Sequence, residues 1–166
     1  MASASPLPLI AATAETMHAL GAALGRLLKA GHVLALTGGL GAGKTTFCQG
    51  LAVGLEVPPD RAVTSPTFSL VNVHPGRVRF AHADLYRLKS DGELEELGLE
   101  ELMEDSVVAI EWAERFPLLL PRDHLSLTLL AEADGSRLLL AESRGARSEA
   151  LLRAWAEAVA QPLAHA

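Results

Sequence analysis

Apolar residues recur at three- and four-residue spacing through Met17, Leu20, Leu24, Leu27 and Leu28, the period of a helix that buries one face. Thr13 can cap that helix, which the pattern predicts from about Ala14 to Ala30, with Gly31 as its stop. The period then changes. Residues 32–37 (HVLALT) are a short continuous apolar run of the kind a buried strand makes. A glycine-rich segment follows, and residues 45–53 (TTFCQGLAV) open a second helix despite Gly50.

Pro58-Pro59-Asp60 interrupts regular structure. Residues 67–74 (TFSLVNVH) are rich in strand formers, Pro75-Gly76 signals a turn, and residues 78–83 (VRFAHA) alternate, so a β-hairpin is predicted here. Ser90-Asp91-Gly92-Glu93 matches a capping box ahead of Leu94, Leu97 and Leu99. Residues 107–112 (VVAIEW) read as a buried strand that ends in a charge. A second hairpin is predicted from residues 125–131 and 137–142 around Ala133-Asp134-Gly135. Ser148 can cap a final helix running to Ala160.

Composition narrows the class. The chain has 166 residues, of which 49% are hydrophobic, enough for one folded domain over residues 1–166 and too many for a disordered chain. Residues 1–12 are expected to be loosely held or a short strand. Fourteen basic against twenty acidic residues give a net charge of −6, a poor balance for independent nucleic-acid binding. Eight of the acids lie between Asp91 and Asp105 with no basic residue among them; a solvated helical face and a partner-docking surface both fit. The single cysteine, Cys48, rules out an internal disulfide and is expected to pack as a small hydrophobe. No apolar run approaches the roughly eighteen residues that span a bilayer, and the first residues lack the basic flank of a signal peptide. A cytoplasmic protein without membrane contact is expected.

The chemistry begins at residues 38–46, GGLGAGKTT. Four glycines in six positions precede one lysine and two threonines, and the spacing fits G-x-x-x-x-G-K-[ST]. Glycine lets the backbone approach an anion with no Cβ in the way, and the following helix turns its positive end to the same point. Lys44 would reach the β- and γ-phosphates, and the Thr45 hydroxyl would hold Mg²⁺. A plain turn between a strand and a helix is the simpler alternative, but strand, loop and helix occur in the order the phosphate loop requires. The predicted fold is α/β: a P-loop NTPase-like three-layer sandwich whose mixed, mostly parallel sheet carries antiparallel hairpins.

A second carboxylate source is needed for the metal. Glu111, after four apolar residues, would stand at the carboxyl end of its strand, where ligands bind in open α/β sheets. An ordinary solvent-exposed strand end is the alternative. Asp84 closes another strand, as a metal-water holder or general base, or merely as a turn cap. His82 would share its face as a core or supporting residue, and Trp112 would pack or cover the site. Thr64-Ser65-Pro66-Thr67 is either a γ-phosphate-sensing loop or a Ser/Pro turn. The only asparagine, Asn72, sits in Val-Asn-Val, so a guanine-reading Asn-Lys-x-Asp element is absent and GTP is disfavoured. A small-molecule kinase with the same loop remains an alternative, although no lid-length insertion is visible; a switch-like adaptor that binds ATP without turnover is another.

The segments GGLGAGKTTF, VTSPTFSLVNVH, FAHADLYRL, ELEELGLEE and VVAIEWAER, in this order, resemble the TsaE family, formerly YjeE. The resemblance covers about residues 13–137. It implies a partner-dependent ATPase, weak alone, for threonylcarbamoyladenosine synthesis at position 37 of tRNAs reading codons that begin with A. TsaD and TsaB homologues are the implied partners, with tRNA met only through the complex. Carried over by position, the nucleotide contacts are Gly39, Leu40, Gly41, Ala42, Gly43, Lys44, Thr45, Thr46, Asp84 and Arg137, with the Ala14 region beside the adenine. Lys44, Asp84 and the switch-segment residue Thr67 are the implied catalytic set; Thr45 and Glu111 are the implied metal ligands. Gly39 stands where the family usually has Asp, which implies altered hydrolysis with the backbone cradle intact. His74 stands where an aromatic is common.

Overall fold

The computed structural model describes residues 5–39, 41–66 and 69–160. Along the chain lie β1 (Leu7–Ala11), α1 (Ala14–Leu27), β2 (Val33–Thr37), α2 (Lys44–Gly54), β3 (Val71–His74) and β4 (Arg79–Asp84). There follow α3 (Asp91–Glu96), α4 (Leu99–Asp105), β5 (Ser106–Glu111), β6 (His124–Ala131), β7 (Arg137–Arg144) and α5 (Ala146–Ala160). Seven strands form one sheet in the order β1-β7-β6-β2-β5-β4-β3. β2 pairs in parallel with β5 and β6, and β4 with β5, while β1–β7, β6–β7 and β3–β4 are antiparallel. Only β3 and β7 therefore run against the rest, which gives the mixed, mostly parallel sheet that the alternating pattern predicts.

Strand parity divides the interior into two cores. Leu34, Leu36, Phe80, Val107, Ala109 and Leu127 face the layer of α1, α2 and α5, where Leu24, Phe47, Leu51 and Trp155 are buried. Val33, Ala35, Ala81, Ala83, Val108 and Ile110 face the other way, toward Leu88 and Leu99. Burying each large side chain contributes about 1.5–3 kcal/mol, so both faces hold the sheet in place. Successive side chains point to opposite faces of a strand. This explains why the inner strands read as unbroken apolar runs rather than alternating ones.

Helices α1 and α2 cross backbone to backbone. A Cβ on Gly21 would lie 2.3 Å from the Phe47 carbonyl oxygen, and one on Gly50 2.2 Å from that of His18. Gly50, which counts against a helix by propensity, is thus required by the crossing. The crossing matters for the site because α2 carries the phosphate-loop lysine at its first residue.

Of the two expectations for residues 1–12, the short strand holds at Leu7–Ala11, which pairs along its whole length with β7; Pro8 is tolerated because this is an edge strand. Several other expectations need correction. α1 ends at Leu27 rather than Ala30. The Arg77 guanidinium donates to the carbonyls of Gly25 and Leu28 at 2.9 and 3.0 Å, a C-terminal cap from another part of the chain. Gly31, with φ +95°, turns the chain into β2 after the helix has already stopped. The acidic helix is broken in two at Gly98, φ +67°. Ser148 lies inside α5; the Asp123 carboxylate caps it instead, accepting from the N–H groups of Arg147 and Ser148 at 2.8 Å each.

Candidate functional site

β2 ends at Thr37 in the middle of the sheet, and the glycine segment carries the chain directly into α2. Gly41 and Gly43 have φ of +75° and +103°, the left-handed region that favours glycine. A Cβ on Gly39 or Gly41 would meet no atom within 4 Å, so the loop presents bare backbone to open space. α2 starts at Gly43 with no side-chain cap and no acidic residue in its first turn. Its leading N–H groups have no partner within the helix and carry the positive end of its dipole, which would favour an anion there. Lys44 and Thr45 stand at the first two positions of that turn.

The ends of β5 and β4 bring in the carboxylates. Asp84 and Glu111 are register partners on adjacent parallel strands, and both are buried. Glu111 Oε1 is 3.5 Å from Lys44 Nζ, and Oε2 is 2.6 Å from His82 Nε2. Burial opposes the charge on Glu111, but His82 and Lys44 outweigh it and hold the carboxyl below its ordinary range. Burial likewise opposes a charge on His82; Cys48, 3.6 Å from Nε2, and Glu111 reverse the balance and raise its pKa. Asp84 accepts from the Tyr86 N–H at 2.9 Å and from the Ser65 hydroxyl at 3.4 Å. The Ser65-Pro66 segment thus reaches the same edge.

Lys44, Thr45, Ser65, Asp84 and Glu111 line one cleft of about 760 Å³, large enough for a nucleotide-sized molecule. Ala11, Ala12, Ala14 and Met17 give the cleft an apolar stretch of wall, and Tyr86 and Trp112 also line it. Their rings are 5.0 Å apart, and Lys44 Nζ lies 4.9 Å from the Trp112 ring centre. Trp112 adopts φ +62° directly after Glu111, which turns its indole to the cleft. Arg137 lines the rim and donates through Nε to the Gly41 carbonyl at 3.1 Å, tying β7 to the loop.

Gly39, Gly41, Ala42, Gly43, Lys44, Thr45, Thr46, Asp84, Glu111 and Arg137 therefore share one cleft. Leu40 and Thr67 lie outside the described residues. Tyr86 is a lining residue that sequence reasoning missed, although it follows Asp84 by two positions. Cys48 is buried as expected, yet it contacts an imidazole instead of only hydrocarbon. Among the described residues no three His, Cys, Asp or Glu side chains gather into a metal cage. The oxygen donors Thr45, Glu111 and Asp84 suit a hard ion such as Mg²⁺, which takes one or two carboxylates and completes its shell with phosphates and water.

Sheet order, loop and strand-end carboxylates together define a P-loop NTPase-like α/β protein. Residues 11–139 match the family model described as threonylcarbamoyl adenosine biosynthesis protein TsaE. The chain belongs to the TsaE family. It is 42% identical to the tRNA threonylcarbamoyladenosine biosynthesis protein TsaE of Treponema pallidum, over 70% of this chain and 86% of that protein. It is 44% identical to the TsaE of Streptomyces coelicolor, over 68% and 78% of the two chains. Its fold is similar to the crystal structure of Bacillus subtilis YdiB, with TM-score 0.81 and 28% identity, covering 95% of this chain and 98% of that one. No helix among the described residues is long and apolar enough to cross a membrane.

Proposed function

We propose that this protein binds and hydrolyses ATP with Mg²⁺ in support of threonylcarbamoylation of adenosine 37 in tRNAs reading codons that begin with A. In this reading it acts in the cytoplasm with TsaD and TsaB homologues, and tRNA is reached through that complex. The observation that carries the reading is the convergence of Lys44, Asp84 and Glu111 on the bare-backbone turn at Gly41–Gly43.

The loop amides and the α2 N-terminus hold the phosphates, and Lys44 adds a charge-assisted contact to them. Thr45 and Glu111 hold the metal, which neutralises charge developing on the phosphates when bound. Asp84, anchored by the Tyr86 N–H, orients the attacking water or accepts its proton. Thr67, two residues after Ser65 in the sequence, belongs to the segment that responds to the γ-phosphate. The apolar wall from Ala11 to Met17 receives the base. Nothing hinders a Cβ at Gly39, so glycine there leaves more room at the cleft mouth than an aspartate would.

Phosphate release by the protein alone and with TsaB and TsaD, scored beside tRNA modification, tests the proposal. Slow release alone and faster release in the complex is the expected result. Phosphorylation of a small acceptor without those partners would favour the phosphotransferase alternative, and no turnover in the complex would favour a non-hydrolysing adaptor.

A further inference from the structure

We propose that His82 is a positioning residue for Glu111: it anchors one carboxylate oxygen so that the other is presented to the cleft. The inference rests on the Mg²⁺–nucleotide reading of that cleft. A glutamate carboxylate on three rotatable bonds has no fixed direction of its own. Here Oε2 lies 2.6 Å from His82 Nε2, whereas Oε1 lies 3.5 Å from Lys44 Nζ. The imidazole is the closer partner, and it is the one that fixes the rotamer.

The ring is itself held. His82 is fully buried, stacks on Phe80 with centroids 6.0 Å apart and planes 6° apart, and has Cys48 Sγ 3.6 Å from the same Nε2. Its Nδ1 is buried with no hydrogen-bond partner among the described residues. All the polar bonding of this side chain therefore passes through one nitrogen, aimed at Glu111. The strand register makes this possible. His82 pairs with Ala109 and Asp84 with Glu111. The small Ala109 side chain leaves space for the ring to lean toward the carboxylate two residues on.

Without His82, both oxygens of Glu111 are free to close on Lys44, and the pair would withdraw a metal ligand and a phosphate ligand together. With it, one oxygen is occupied and Lys44 meets only the other. Partners behind a metal ligand typically change metal affinity by about 10–100-fold when removed.

The test is the Mg²⁺ concentration for half-maximal binding of a fluorescent ATP analogue, with thermal melting as the check on folding. His82→Leu, which fills the space but cannot donate, should raise that half-point about tenfold or more. His82→Gln places an amide N–H near the position of Nε2 and should stay within about threefold of the wild type. If His82→Leu does not fold, His82→Asn, which is polar but too short to reach Glu111, carries the same prediction. An unchanged half-point in the non-donating variant overturns the proposal, as does an equal shift in His82→Gln, which would mean packing alone. Glu111→Ala separates the two levels: if it too leaves the half-point unmoved, the reading of the cleft fails, not only the role of His82.

Discussion

Lys44 and Glu111 form a buried ion pair at the mouth of the loop, 3.5 Å from Nζ to Oε1, with side chains 10% and 4% exposed. Glu111 is the counter-charge of Lys44 and is shared with His82, and Lys44 and Glu111 have different partners in the proposed complex. Removing one member of such a pair leaves a buried charge with less compensation; for Glu111, His82 limits the damage.

Lys44→Ala is expected to weaken ATP binding about 10–100-fold, the loss of one hydrogen bond to a charged group at roughly 1.5–3 kcal/mol. A fluorescent nucleotide titration reads it directly. Unaltered affinity would remove Lys44 from phosphate binding.

Asp84→Asn keeps the side chain's size and removes its charge. Nucleotide affinity should remain within a few-fold of wild type, while single-turnover hydrolysis in the TsaB–TsaD complex falls about 10²-fold or more. Equal hydrolysis rates would take Asp84 out of the mechanism.

Gly50→Ala is expected to destabilise the fold, because the added Cβ would lie 2.2 Å from the His18 carbonyl oxygen and neither helix can retreat without opening the core. A cost of about 1–3 kcal/mol corresponds to a melting temperature lower by roughly 3–10 °C for a chain of this size. Calorimetry at fixed pH checks it; an unchanged melting point would contradict the close crossing of α1 and α2.

His32 supplies a pH dependence away from the cleft. Its Nδ1 accepts from the Lys29 N–H at 2.9 Å, and burial, helped by the nearby Arg147 charge, lowers its pKa from 6.5 to about 4. The unfolded chain takes up this proton below pH 6.5 and the folded one does not until about pH 4. Stability from this group is therefore complete above pH 6.5 and is lost as pH falls across that interval, by up to about 1.4 kcal/mol per pH unit. His32→Gln should flatten that part of a denaturation-versus-pH curve. A curve of the same slope would contradict the assignment.

Much of the site was legible because its chemistry is local in sequence. The run from Gly38 to Thr45 fits the phosphate-loop spacing and lies between a strand and a helix as that spacing requires, and Glu111 and Asp84 each end a strand whose apolar run can be read. What could not be read depends on chain segments far apart. Arg77 stops α1 from about fifty residues away, and Asp123 starts α5 from the far side of a hairpin. Neither leaves a signal at the helix it caps. Gly50 looks like a helix breaker until Gly21 is placed against α2. His82 could be put on the face of Asp84 from the two-residue period, but its bond to Glu111 needs the β4–β5 register. Tyr86 meets Trp112 across two strand ends, with ring centres 5.0 Å apart, a contact that neither segment signals.

The central claim is that the loop, Glu111 and Asp84 enclose one metal-bound triphosphate. Crystals grown with a non-hydrolysable ATP analogue and Mn²⁺ in place of Mg²⁺ test it most directly, through the anomalous signal of the metal. The account predicts a single strong peak coordinated by the Thr45 hydroxyl, the Glu111 carboxylate and phosphate oxygens, with the terminal phosphates lying along the Gly41–Thr45 amides. A metal peak remote from Glu111, or a nucleotide bound with its phosphates away from those amides, would contradict it.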